Sequence, residues 1–185
     1  PPLKIGAGWF ITQLINEKKK NNLNIKIVLV SNRIGVGQAL KMKNIISVLI
    51  QGIIHYSRRI HFFFLLFNKK LINADYIILI HHQYIGQKYC DMLINKRIKP
   101  TTLFLLDSGF FCIRSYNYIP EEENACLRCV GGDWDMIKQY NCKPLPIKDS
   151  YSSKFLDNLV NYVKFGKVKL LAQNQLQSDI ARKHF

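Results

Sequence analysis

The sequence predicts an α/β fold: a Rossmann-like parallel sheet with helices on both faces. Three observations carry this expectation. The apolar runs Ile25–Val30, Tyr76–Ile80, Leu103–Leu106 and Val168–Ala172 are short and continuous, not alternating, which is how strands buried on both faces read. The segments between them place apolar residues three and four apart, the spacing of an amphipathic helix. Helix and strand patterns alternate along the chain, which implies parallel strands joined by right-handed crossovers.

The elements follow in order. A helix over Gly8–Lys19 sets Phe10 and Leu14 on one face, with Trp9 beside them, and leaves through Lys18–Asn22. Ile25–Val30 is the first strand. Met42–Arg59 reads as a long, mostly apolar helix; Phe62–Leu66 is short enough for a strand but reads better as helix. The most apolar window, Ile45–Phe67, is broken by His55, Arg58, Arg59 and His61. A spanning helix needs about 20 predominantly apolar residues, so this window reads as a helix of a soluble domain. A helix lying on a membrane surface is the alternative its basic and aromatic residues leave open. Beyond the strand Tyr76–Ile80, a helix over Ile85–Lys96 gathers Tyr89, Met92 and Leu93, with Cys90 in the core. The strand Leu103–Leu106 opens into a long loop. Ser153–Lys164 gathers Phe155, Leu159, Tyr162 and Val163 at helical spacing, and Val168–Ala172 is the last strand. Asn174 is placed to cap the final helix, its side-chain carbonyl accepting an orphan backbone N–H.

Composition bounds the function classes. At 185 residues with 48% hydrophobic content, the chain is of single-domain size and too apolar for disorder. A formal charge of +15 suits phosphates, acidic lipid headgroups or other polyanions, though compositional bias toward Lys and Asn explains it equally well. The basic clusters Lys18–Lys20, Arg58–Arg59 and Lys69–Lys70 are separated and lack interleaved aromatics, so no nucleic-acid partner is expected. Five irregularly spaced cysteines do not form a secreted disulfide framework. Both chain ends read as cut, and the chain is expected to be a fragment of a longer protein.

Four places carry candidate chemistry. In Ile5-Gly6-Ala7-Gly8 the glycines Gly6 and Gly8 allow close backbone approach to an anion at the next helix, or form a tight turn only. His81, His82 and Tyr84 follow directly on a buried strand, where an imidazole suits proton transfer or a ligand hydrogen bond, or is satisfied by backbone. Asp107 and Ser108 stand at another strand end, where the carboxylate accepts from a substrate hydroxyl or caps the next turn. Cys112, Cys126, Cys129 and Cys142 are spaced C-x13-C-x2-C-x12-C. Two residues between thiolates let Cys126 and Cys129 reach one tetrahedral ion. A structural zinc site, unligated thiols and a disulfide all fit this spacing.

Taken in order, these features resemble the N-terminal half of a GT-B fold glycosyltransferase, of the large retaining group (group 1, family 4-like) that uses nucleotide-sugars in bacterial polysaccharide assembly. GAGWFITQLINE is similar to the glycine-rich loop and first helix of those enzymes, and NADYIILIHHQ to their strand ending in histidine. TTLFLLDS resembles their strand ending in His-Asp, with Asp107 matching the acid; VKLLAQNQLQSDIARKHF is similar to their exit from the last strand of that half. SYNYIPEEENACLRCVGG resembles a cysteine-bearing insertion. The resemblance implies one acceptor-side domain over 1–185, truncated at both ends, with a cysteine-containing insertion at 108–150. It implies Asp107 with His81 or His82 at the reacting centre, Gly6 and Gly8 toward the donor, and Ser108 and Tyr84 toward the acceptor. It further implies a nucleotide-sugar donor, a glycan or lipid-linked acceptor, and chemistry that needs no cofactor, any zinc being structural. The expected location is cytoplasmic, peripheral at the anionic inner face of the plasma membrane. Two departures stand out: Leu106 occupies the place of the family's histidine, and the paired glutamates of the family's second domain are absent from these 185 residues. The alternative from another class is a zinc-stabilised basic module that binds nucleic acid or a protein.

Overall fold

The structure, a computed structural model, describes residues 7–22, 53, 56, 57, 60, 63, 64, 66–80, 82–119, 122–143 and 153–185. The expected strand Ile25–Val30, most of the helix Met42–Arg59, Gly6, His55, His61 and His81 lie outside the described residues. The chain divides into two compact units, Pro1–Val30 and Ser31–Phe185.

The first unit contributes helix α1 (Ala7–Lys20), which begins one residue before and ends one residue after the expected span. Lys18, Lys19 and Lys20 fill its last turn, where cations meet the negative end of the helix dipole. Asn22 at φ 48° ends it in the left-handed region, a conformation asparagine tolerates better than most residues.

The second unit is α/β. Helix α2 (Lys69–Ile72) is capped by Asn68, whose side chain accepts from Lys70 N–H at 2.9 Å. Strand β1 (Ile78–Ile80) leads into α3 (His82–Ile85) and α4 (Gln87–Lys96). The single helix expected from Ile85 begins two residues later, because Gly86 at φ 99° interrupts the ladder and starts α4 afresh. Strand β2 (Thr101–Leu105) runs two residues earlier than the apolar run and leaves Leu106 outside. Pairing decides this: Thr101 N–H bonds Lys167 O at 2.9 Å and Thr102 N–H bonds Ile77 O at 2.8 Å. A two-residue hairpin, β3 (Tyr118–Ile119) with β4 (Asn124–Ala125), and the short α5 (Asp135–Gln139) are the regular parts among the described residues of the loop that follows. Helix α6 (Ser153–Lys164), strand β5 (Val168–Ala172) and helix α7 (Gln175–His184) finish the chain, and α6 and β5 have the expected bounds.

Among the described residues the sheet has three parallel strands in the order β1-β2-β5, with Leu79, Leu103 and Leu170 in register, and helices flank it. Its faces are unequal. Leu79, Thr101, Leu103, Leu105 and Val168 are buried on one, whereas Ile78 and Leu171 on the other stay exposed. Helix α6 buries Phe155, Leu156, Leu159 and Tyr162, each contributing roughly 1.5–3 kcal/mol. A polar cluster ties α6 to α4: Asp91 accepts from Tyr162 Oη at 2.7 Å and from Asn158 Nδ2 at 3.0 Å. Burial first, then the bond to Asp91, pushes the Tyr162 hydroxyl up to about 12.

Candidate functional site

All three strands are parallel, so their carboxyl ends share one edge of the sheet. That edge is where ligands bind in open α/β sheets. Beyond β2 the chain turns sharply at Asp107. Its Oδ1 accepts from Gly109 N–H at 2.8 Å, a side-chain-to-backbone turn typical of aspartate. The capping role open to Asp107 is thus the one its side chain performs locally, and the residue remains half-buried. Ser108 extends the turn: its carbonyl accepts from Cys112 N–H at 2.8 Å and from Phe111 N–H at 3.1 Å. Its hydroxyl donates to Asn117 Oδ1 at 2.7 Å, and its own N–H donates to Ser115 O at 2.9 Å.

The other two strand ends close on this turn. After β1, His82 is 4% exposed, and its Nε2–H donates to Gly109 O at 3.2 Å. Because a carbonyl only accepts, Nε2 must carry the proton. The ring stacks on Phe155 of α6, with centroids 5.6 Å apart. His82 is therefore placed to hold the Gly109 backbone, while Tyr84 contributes to α3 two residues on. Cys90 in α4 is fully buried, as expected, and its thiol contacts His82 O at 3.8 Å. After β5, Gln173 Nε2 donates to Leu105 O at 3.0 Å and Gln177 Nε2 donates to Asp107 O at 3.3 Å. Gln177 Oε1 in turn accepts from Gln173 N–H at 2.9 Å. The expected cap is present: Asn174 Oδ1 accepts from Gln177 N–H at 2.9 Å.

The edge therefore assembles His82, Asp107, Ser108, Gln173 and Gln177 around one turn. Gln173, Gln177 and Asn117 went unrecognised in the sequence; the one signal for the two glutamines was the polar QNQLQ run that follows an apolar strand. Gly8 lies in helix α1 of the other unit.

The four loop cysteines are all free thiols. Cys112 and Cys129 are buried, and Cys126 and Cys142 are half-buried. Burial, then the neighbouring thiols of Cys126 and Cys142, pushes Cys112 up to about 11, against the opposing effect of the Arg114 N–H that donates to its sulfur. Burial, then the thiols of Cys112, Cys126 and Cys142, pushes Cys129 up to about 12. Cys129 thus senses the three other loop thiols, and Cys112 senses Cys126 and Cys142. Among the described residues, no group of three or more His, Cys, Asp or Glu side chains is set to hold a metal ion as it stands. Among them, too, no helix is long and apolar enough to cross a membrane.

No protein-family model, curated protein or solved structure matches this chain.

Proposed function

We propose that the chain forms the acceptor-side, Rossmann-like part of a glycosyltransferase that moves a sugar from a nucleotide-sugar to a glycan or lipid-linked acceptor. The observation that carries this reading is the convergence of three parallel strand ends on the Asp107–Gly109 turn, each tied to it by a side chain. The order of the sequence features that resemble a GT-B N-terminal half supports the same reading.

In this reading Asp107 meets the acceptor hydroxyl. A carboxylate held by its own turn costs little to reorganise when that hydroxyl attacks the sugar carbon. Ser108 and Tyr84 flank the acceptor. His82 is a positioning residue that fixes the backbone carrying Asp107; His81 is the histidine this reading assigns to proton transfer with Asp107. Gly6 and Gly8 admit the donor phosphate. The chemistry itself takes no cofactor. Ile53, Tyr56, Ile60, Phe63, Phe64 and Phe67 are exposed at helical spacing, and Lys96 Nζ sits 3.5 Å from the Phe67 ring centroid. Apolar and aromatic residues beside basic ones suit an anionic membrane face that presents a lipid-linked acceptor.

The test is nucleotide release from a panel of nucleotide-sugars by the gene's complete product, with and without glycan or lipid-linked acceptors. Release from one donor that an acceptor stimulates is the expected result. No release from any donor rules the reading out.

A further inference from the structure

Among the described residues of the long loop that follows Asp107, the regular structure is one two-residue hairpin and one short helix. A segment of this kind holds one shape only with added staples. Its four cysteines each sit on a separately fixed turn. Cys112 closes the Ser108 turn through its N–H, and Ser115, at φ 62°, folds back to donate to Cys112 O at 3.0 Å. Cys126 leaves the hairpin with its N–H on Asn117 O, the same Asn117 whose side chain holds Ser108. Cys129 ends a tight turn closed by Val130 N–H to Leu127 O at 3.0 Å and Gly132 N–H to Cys129 O at 3.2 Å. Gly131 and Gly132 follow at φ +91°, a conformation L side chains resist.

Cys142 is aimed by the end of α5. Its N–H bonds Ile137 O at 2.9 Å and that of Asn141 bonds Lys138 O at 3.1 Å, with Asn141 at φ 45°. These two bonds and a left-handed residue make a Schellman motif, which reverses the chain at a fixed angle. The Arg128 guanidinium, inside the C-x2-C turn, lies 3.9 Å from the ring centroid of Tyr140, two residues before Cys142. Contacts thus chain Cys112 to Cys126 through Ser108 and Asn117, and the Cys126–Cys129 turn to Cys142 through Arg128 and Tyr140. Five cysteines and no disulfide, with a C-x2-C pair at the centre of the set, are donors of the kind zinc prefers.

We propose that Cys112, Cys126, Cys129 and Cys142 bind one structural zinc ion as a tetrathiolate that locks this loop against the carboxyl edge of the sheet. As they stand, the four thiols are not a finished cage. Zinc sites of this type close on the metal, each thiol giving up its proton as its sulfur binds. No oxidation or reduction is involved. The ion would hold Ser108 and Asn117 through the turns of Cys112 and Cys126, whatever reaction the edge supports.

The test uses the complete chain, purified reducing, without chelator and without added metal. Elemental analysis should find about one zinc per chain. Replacing it with Co²⁺ should give the intense thiolate-to-cobalt absorption and tetrahedral visible bands of four sulfur ligands. Cys129→Ser and Cys142→Ser should each cut metal retention at least tenfold, while Cys90→Ser leaves it unchanged. If the serine variants fail to fold, the cobalt spectrum of the unaltered protein still decides. Metal-free protein with all five thiols reactive, a cobalt spectrum without sulfur ligation, a Cys126–Cys129 disulfide, or zinc retained equally by both serine variants would each overturn the assignment.

Discussion

Lowering the pH should weaken this fold through one residue, His184. Its ring closes α7 onto the cysteine loop: Gly131 N–H donates to Nδ1 at 3.1 Å. Phe185 lies 4.7 Å away, Trp134 5.8 Å, Phe110 6.0 Å and Phe111 6.1 Å, centroid to centroid. Since Nδ1 accepts, the neutral ring carries its proton on Nε2, a buried atom with no hydrogen-bond partner among the described residues. An imidazolium here would be a charge among aromatic rings, and burial holds the group down at about 4, against the ordinary 6.5. The unfolded chain therefore takes up a proton as the pH falls through about 6.5, and the folded protein only near about 4. The stability that His184 contributes is fully present above about 6.5, is lost as the pH falls, and stops changing below about 4. At about 1.4 kcal/mol per unit, the loss approaches about 2 kcal/mol near pH ~5 and about 3 kcal/mol near pH ~4. His184→Phe keeps the aromatic packing and removes the titration; Gly131 is exposed, so water replaces the lost acceptor. Urea denaturation of both proteins from about pH 7 down to about pH 4 measures the difference, and comparing the two cancels every other titrating group. The unaltered protein should lose about 2–3 kcal/mol more than the variant. Parallel pH profiles would refute the reasoning.

Two further predictions concern the frame of the site. Arg97 is buried, and its guanidinium bonds Ile72 O at 2.8 Å, Ala74 O at 3.0 Å and Leu71 O at 3.1 Å; the compact ammonium of Arg97→Lys does not span three carbonyls. That substitution should cost roughly 2–4 kcal/mol in chemical denaturation, and a loss below the error of the fit would count against the clamp. Asn174→Ala removes the α7 cap and should cost about 1 kcal/mol, with faster amide exchange confined to the first turn of α7 and the Gln177 side chain loosened from Asp107 O.

How much of this was legible in the sequence depended on how local each determinant is. The bounds of α6 and β5 were readable because Phe155, Leu159 and Tyr162 recur at helical spacing and Gly166, at φ +70°, separates helix from strand. The cap at Asn174 was readable because a cap is a contact three residues long. Strand β2 was misplaced because Thr101 and Thr102 look polar beside Leu103, and only pairing with β1 and β5 extends the strand over them. The break at Gly86 turns on a backbone angle that a helix-like apolar pattern conceals. His82, Asp107 and Ser108 were recognisable as strand-end residues. That His82 bonds Gly109, and that Gln173 and Gln177 reach Leu105 and Asp107, depends on contacts between distant segments, which no local pattern encodes.

Asp107→Asn isolates the carboxylate charge at the carboxyl edge of the sheet. An asparagine Oδ1 still accepts from Gly109 N–H, so the turn is kept and only the charge is lost. The decisive measurement is sugar transfer by the gene's complete product carrying this substitution, with thermal unfolding recorded alongside. Turnover should fall by about a hundredfold or more while the melting temperature stays within the error of the unaltered protein. Transfer at the original rate would contradict the placement of the reacting centre at this edge of the sheet.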